Sequence, residues 1–141
     1  MKKRDFKAIF MLEKIAQDVP AIKSARIASA VFINNRLISI GTNQNKTCPM
    51  QAKYARNEHC GALIHSEINC IKNALRRVDV DDLRHATMYI ARMKYLNSDE
   101  SCSQMEWGLC RPCKGCQMAI RAFEIKRVVY TTDSQQLEEF C

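Results

Sequence analysis

Hydrophobic residues recur at helical spacing in three segments of the chain, residues 5–19, 66–77 and 113–123. In each segment charged side chains occupy the remaining positions, which is the pattern of a helix that buries one face. Pro20 ends the first segment, because proline cannot continue a helix. The sequence therefore predicts three amphipathic helices.

Short runs rich in β-branched residues predict four strands, at residues 28–33, 37–40, 87–91 and 127–130. The first two flank Asn34-Asn35-Arg36, so they are predicted to form a hairpin, and Gly41 is predicted to end the second strand. The remaining segments are interpreted as a long loop (42–60), a charged connection (79–84), an irregular insertion (94–110) and a C-terminal stretch with room for one or two helical turns (131–141). This order of elements predicts an α/β protein with helices packed on a mixed sheet.

Composition limits the class of protein. A chain of 141 residues with 47% hydrophobic and 26% charged residues predicts one globular domain over residues 1–141 and excludes disorder. Charged residues interrupt the segment after the basic N-terminus, and no apolar run is long enough to span a bilayer, so we expect a cytoplasmic protein. In a reducing compartment, the eight cysteines are more often metal ligands or catalytic groups than disulfides.

The clearest chemical pattern combines His65-x-Glu67 with Pro112-Cys113-x-x-Cys116, a zinc deaminase signature. One imidazole and two thiolates leave the fourth position of a tetrahedral zinc open to water, as a catalytic site requires. Glu67 is then the candidate that carries the proton from this water to the leaving amine. Positions i and i+2 point about 200° apart on a helix, so His65 is predicted at or just before the first turn.

With these motifs the chain resembles the cytidine deaminase-like superfamily and is most similar to the deoxycytidylate deaminases, including those of phages. His65-Ser66-Glu67-Ile68-Asn69 resembles that family's His-Ala-Glu-x-Asn segment, and Gly41-Thr42-Asn43 its Gly-x-Asn. The resemblance covers roughly residues 25–131. It implies a three-layer α/β/α sandwich with a mixed sheet, here shortened at the C-terminus, zinc on His65, Cys113 and Cys116, and Asn43 at the substrate sugar. It also implies hydrolytic loss of ammonia from a pyrimidine nucleotide, with dCMP as the expected substrate, and assembly into a homo-oligomer.

Charge is unevenly distributed along the chain. Residues 1–60 hold eleven Lys or Arg against four Asp or Glu, whereas residues 61–141 hold eleven of each. The basic half is predicted to border the entrance and steer phosphates toward the zinc, with Lys46, Arg56 and Ser66 joining Asn43 as substrate-binding residues. A deaminase acting on bases within single-stranded DNA or RNA is an alternative, but residues 20–60 offer few aromatic side chains for stacking, which favours a mononucleotide. A zinc-stabilised binding module without catalysis is a further alternative.

The remaining cysteines suggest a second metal site. The two long insertions contain Cys48, His59, Cys60, Cys102 and Cys110. These residues are candidate ligands of a second, structural zinc, as the resemblance to phage enzymes that bind an extra metal also suggests. The alternative is that they are unpaired thiols that contribute only to packing.

Overall fold

The four predicted strands all form, and they belong to one mixed sheet of six strands. The computed structural model describes residues 1–22, 25–54, 63–96 and 104–140. The helices are α1 (Lys3–Gln17), α2 (Pro49–Tyr54), α3 (Ser66–Ala74) and α4 (Lys114–Ala122), and a 3-10 helix spans Val80–His85. The strands are β1 (Arg26–Ile33), β2 (Arg36–Thr42), β3 (Ala86–Tyr95), β4 (Met105–Gly108), β5 (Arg127–Thr131) and β6 (Leu137–Phe140).

The sheet has the order β2-β1-β3-β5-β6, with β4 paired to the end of β3. Among the strand pairs of the described residues, β3–β5 is parallel and the others are antiparallel. The chain crosses over between β3 and β5, and α4 lies in this crossover. Side chains of β3 alternate between the two faces of the sheet: Tyr89, Ala91 and Met93 pack in the cluster that contains α1, and Met88 and Ile90 in the cluster that contains α3 and α4. Helices therefore cover both faces, which confirms the predicted α/β architecture.

The hairpin between β1 and β2 turns as predicted. Asn34 and Asn35 have φ angles of 51° and 64°, the left-handed conformation that a two-residue hairpin turn requires and that asparagine tolerates. The Cα atoms of Ile33 and Arg36 are directly paired across this turn.

Five of the other sequence interpretations were wrong. Gly41 lies within β2, which continues to Thr42. The predicted long loop contains the short helix α2, and the charged connection folds as the 3-10 helix. In the predicted insertion, β3 runs on to Tyr95 and β4 pairs back against it; the C-terminal stretch forms β6 rather than a helical turn. These strand extensions lacked the β-branched run used to find strands, and pairing to a neighbouring strand determines them instead.

Side chains from α3 cover the free edge of the sheet at β2. Asn69 Nδ2 donates to the carbonyl of Thr42 at 3.1 Å, and Asn73 Nδ2 donates to that of Ile40 at 2.8 Å. Ser39 Oγ donates in the opposite direction, to the carbonyl of Cys70 at 2.9 Å. These bonds satisfy edge groups that would otherwise be open to another strand, and they fix α3 along β2.

A buried ion pair fastens α1 to the sheet. The Asp5 carboxylate is fully buried and accepts hydrogen bonds from Arg127 Nη1 and Nη2 at 2.8 and 2.9 Å and from Tyr89 Oη at 2.7 Å. The Arg127 guanidinium holds the pKa of Asp5 well below its usual range.

Across the described ranges, no helix is both long and apolar enough to span a bilayer.

Candidate metal centre and substrate cavity

Two helices begin at predicted metal ligands. His65 is the N-cap of α3 and Cys113 is the N-cap of α4, and both have extended backbone angles. The position of His65 just before the first turn is the one its spacing to Glu67 requires. Gln51 of α2, a fully buried residue, accepts a hydrogen bond from the His65 backbone N–H at 3.0 Å. Sequence pattern alone does not predict this contact, because Gln51 lies in the segment interpreted as a loop.

The three predicted ligand side chains meet at one point. His65 Nδ1 lies 3.5 Å from Cys113 Sγ and 3.4 Å from Cys116 Sγ. Tetrahedral zinc with bonds of about 2.3 Å to sulfur and about 2.0–2.1 Å to nitrogen separates such ligands by about 3.6 Å. The donor set and its spacing therefore fit zinc. Within the described part of the chain, His65, Cys113 and Cys116 are the His, Cys, Asp or Glu side chains that lie close enough together to hold a metal ion.

The Cys113 and Cys116 thiols are coupled by a hydrogen bond. This bond, together with the nearby His65, lowers the pKa of Cys113. The same bond, together with burial, raises the pKa of Cys116 well above its ordinary value. Both sulfurs must be thiolates to bind a metal, so metal binding must displace the proton of this hydrogen bond.

Glu67 lies in the first turn of α3 with its side chain 5% exposed. Ser66 Oγ donates to Glu67 Oε1 at 2.7 Å, and Ser66 Oγ lies 2.6 Å from Ser29 Oγ on β1. The carboxylate also contacts the Cys116 thiol. A chain of hydroxyl groups from the sheet therefore orients Glu67 beside the three ligands. The Ser66 hydroxyl, predicted to bind substrate, contacts Ser29 and Glu67.

These groups face a cavity of about 290 Å³. It is lined by Ile22, Ala25, Ile27, Asn43, Gln44, Leu63, Ile64, His65, Ser66, Glu67, Arg92, Leu109, Cys110, Arg111 and Cys113. Asn43 lies in the wall as predicted, where its Oδ1 accepts from the Ile27 N–H and its Nδ2 donates to the Ala25 carbonyl, each at 3.0 Å. Its carboxamide thus holds the start of β1 at the cavity edge.

Some predicted residues lie elsewhere or outside the described residues. Lys46 is exposed and is absent from the cavity wall. Arg56, predicted to bind substrate, lies outside the described residues, as do three of the predicted second-zinc ligands, His59, Cys60 and Cys102.

The other two predicted ligands of a second zinc have separate surroundings. The Cys48 sulfur accepts from backbone N–H groups at the start of α2, and these bonds together with Lys72 outweigh its burial and lower its pKa. Cys110 Sγ lies 3.2 Å from Thr131 Oγ1 and 3.4 Å from the Ile90 carbonyl, and burial raises its pKa to about 12. Neither belongs to a cluster of metal-ligand side chains in the described ranges, and the second zinc stays a prediction.

Two arginines that were not among the predicted site residues line the cavity. Arg92 and Arg111 both come from the second half of the chain, where the net charge is zero. The charge distribution predicts a basic entrance formed by residues 1–60. The Lys and Arg side chains described in the cavity wall are instead Arg92 of β3 and Arg111. The period of two along β3 is the signal that could have found Arg92, since it shares a face with Met88 and Ile90.

An α/β sandwich in which two helix N-termini bring one imidazole and two thiols beside a buried glutamate is the architecture of the zinc-binding deaminases. The family model of the cytidine and deoxycytidylate deaminase zinc-binding region matches residues 2–132, so this chain belongs to that family. The chain is therefore an enzyme, a deaminase with zinc as its cofactor, as the resemblance implied.

A solved structure shows the same fold. The chain is similar to the dCMP deaminase from the cyanophage S-TIM5, whose crystal structure is of the apo form, with a TM-score of 0.59 and 15% sequence identity. The match covers 94% of this chain and 86% of that chain. No curated protein sequence matches the chain.

Proposed function

We propose that this enzyme converts dCMP to dUMP by hydrolytic deamination. The observation that carries the proposal is the position of Glu67, which is buried and hydrogen-bonded beside the three metal ligands. Glu67 and two of these ligands, His65 and Cys113, line a cavity of about 290 Å³. This volume lies at the lower end of the range of about 300–1,000 Å³ found for small-molecule sites, which suits a single nucleotide.

The residue roles follow from the geometry. His65, Cys113 and Cys116 would hold the zinc, which would supply the chemistry of making water ionise near neutral pH. Glu67 would take a proton from the attacking water as the water oxygen adds to C4 of the cytosine ring. Glu67 then delivers the proton to the amino group, the C4–N bond breaks and ammonia leaves. The Ser66 hydroxyl keeps the carboxylate in place for both transfers, and burial keeps bulk water from them.

A mononucleotide suits the surroundings better than a nucleic acid. A second space of about 740 Å³ adjoins the cavity and shares Ile22, Asn43, Gln44 and Leu63 with it. Every residue described as lining this space is uncharged. A bound oligonucleotide would place further phosphates there, and phosphate recognition relies on lysine and arginine.

The chain is further proposed to act as one domain that assembles into a homo-oligomer. Phe6 and Phe10 on the outer side of α1 are 36% and 49% exposed, and the Phe10 ring lies 6.5 Å from that of Trp107 on β4. Such an exposed aromatic surface is more common in subunit contacts than on monomers. Sedimentation velocity measures the assembly, and Phe10→Lys should shift it toward the monomer.

The substrate assignment is tested by measuring ammonia release from dCMP, dCTP, deoxycytidine and a cytosine-containing oligonucleotide with zinc-loaded protein. We expect dCMP to give the highest kcat/KM. Activity confined to the oligonucleotide would favour a nucleic-acid deaminase instead. No release from any of the four, with one equivalent of zinc bound, would contradict the proposal and favour a binding module.

A further inference from the structure

We propose that Arg92 is the residue that binds the substrate phosphate and so makes the enzyme prefer a nucleotide to a nucleoside. This inference rests on the proposed function, because it assigns a role within the same cavity. Three features of Arg92 support the inference. Its side chain lines the cavity, Gly108 leaves space for its stem, and no carboxylate forms an ion pair with it in the described residues.

Position comes from the register of β3. Arg92 follows Met88 and Ile90 by steps of two, so its side chain projects from the face of the sheet that carries α3 and α4. This is the face on which His65 and Glu67 lie, and all three side chains line the same cavity. The Arg92 backbone N–H donates to Thr131 Oγ1 at 3.2 Å, which fixes the strand at this point.

Gly108 leaves space for the Arg92 side chain on the neighbouring strand. Its Cα is paired with Arg92 across β3 and β4, and a Cβ built there would lie 3.0 Å from Arg92 Cδ and 3.2 Å from Nε. The arginine stem therefore crosses the strand where a side chain is missing. Nη1 donates to the carbonyl of Leu109 at 3.3 Å, so one end of the guanidinium is already oriented.

No carboxylate forms an ion pair with this guanidinium in the described part of the chain. Nε is shielded from water and has no hydrogen-bond partner. Asp133 is near enough for its charge to interact with that of Arg92, but its carboxylate bonds to Lys94 Nζ at 2.8 Å. A partly buried cation that contacts no carboxylate is costly, and an anion that enters the cavity would offset that cost.

Phosphate is the group that fits. It is the only fully charged group of dCMP, and the planar fork of arginine binds phosphate oxygens through two parallel hydrogen bonds. The other cation in the wall, Arg111, lies with its guanidinium 5.9 Å from the centre of the Phe140 ring, toward β6. Glu67 and the metal ligands account for the end of the cavity where the base must react.

The experiment compares dCMP with deoxycytidine, which lacks the phosphate. In Arg92→Gln, kcat/KM for dCMP should fall by about 10- to 100-fold, mainly through KM, because a charge-assisted hydrogen bond contributes about 1.5–3 kcal/mol. For deoxycytidine kcat/KM should change by less than about threefold. Arg92→Lys keeps the charge without the fork, so it should recover part of the lost preference. Arg121→Gln, at an exposed arginine on α4, removes the same charge and should behave as the wild type.

Binding of the products gives a readout that does not need turnover. Wild-type protein should be stabilised more against thermal unfolding by dUMP than by deoxyuridine, and Arg92→Gln should lose that difference. If the wild type deaminates neither substrate but this loss is seen, the proposed function fails and the inference stands. If Arg92→Gln retains the preference for dCMP, or lowers activity on both substrates equally, the inference is wrong.

Gly108→Ala covers the case in which Arg92→Gln does not fold. The added Cβ shifts the arginine stem by a few tenths of an ångström and leaves its charge in place. This variant should therefore weaken the preference for dCMP over deoxycytidine, and an unchanged preference would overturn the inference.

Discussion

Replacing Gly41 with alanine should damage stability and activity together. Gly41 lies in β2 directly beneath α3, and a Cβ built on it would lie 2.3 Å from the Cys70 nitrogen, 2.5 Å from the Ser66 carbonyl oxygen and 2.8 Å from Cys70 Cα. All three are backbone atoms, so rotation of a side chain cannot relieve the overlap. Ordinary contacts are about 3.5–4.0 Å, and α3 must therefore retreat from the sheet by about 1 Å.

The loss of stability can be worked out from the contacts that the movement of α3 disturbs. Overpacking of a well-filled core costs about 1–3 kcal/mol. The same movement stretches the hydrogen bonds from Asn69 and Asn73 to β2 and from Ser39 to α3, each contributing about 1 kcal/mol. We therefore expect the free energy of unfolding to fall by about 3–5 kcal/mol, a large part of the about 5–15 kcal/mol typical of a domain.

Activity should fall because α3 carries Glu67, the proposed proton carrier, and begins at His65. A displacement of about 1 Å at Glu67 is enough to reduce kcat/KM by about 100-fold. Urea denaturation and the ammonia-release assay measure the two effects. Ser39→Ala is the matched control, since it removes a hydroxyl that contacts the Cys70 carbonyl and thiol without adding volume, and it should cost only about 1 kcal/mol. A Gly41→Ala variant with wild-type stability would refute the reasoning.

Three further predictions concern the metal centre and the ion pair. Glu67→Gln should lower kcat by about 100- to 10,000-fold with zinc content unchanged by elemental analysis, and substantial residual turnover would contradict its role. Removal of zinc with a chelator should abolish ammonia release and lower Tm, and added zinc should restore both in the wild type but not in Cys113→Ala. Asp5→Asn should lower the free energy of unfolding at pH 7 by about 2–3 kcal/mol, less than for a fully buried pair because Arg127 is 25% exposed. Since the ion pair depresses the pKa of Asp5 in the folded state, this contribution is complete above the unfolded pKa of about 4 and declines as the pH falls further. Urea titrations at pH 7 and pH 3 should thus show a smaller difference at pH 3, and an equal one would contradict the sign.

The metal centre could be predicted from the sequence because its ligands lie at the starts of helices that periodicity also finds. His65 and Cys113 each precede an amphipathic segment, so local spacing already restricts where their side chains can point. Strands such as β4 and β6 could not be found in this way, since four residues carry too little pattern and strand pairing determines their structure. The role of Gly41 was missed for a related reason: a glycine after a β-rich run suggests a strand end, whereas here it permits a close approach of a helix.

The prediction of a basic entrance from residues 1–60 was wrong for a different reason. Net charge along a segment does not show which side chains line a cavity, because the fold brings residues from distant segments together. The β3–β4 hairpin brings Arg92 to the same cavity as residues from β1 and α3, although its own half of the chain has no net charge. Charge summed by segment therefore predicts attraction at long range and does not identify which cation faces the substrate.

The contacts divide the molecule into two parts with separable effects. The ladder of hydrogen bonds between α3 and β2 fixes both the edge of the sheet and the helix that begins at His65, so changes along it should alter stability and turnover together. Arg92 lines the same cavity from β3, with hydrogen bonds to Thr131 and Leu109, and none of its described hydrogen bonds reaches α3. Changes there should alter which substrate is chosen and leave the metal centre intact. Measuring stability, zinc content and substrate preference on one set of variants would therefore separate the structural support of the site from its specificity.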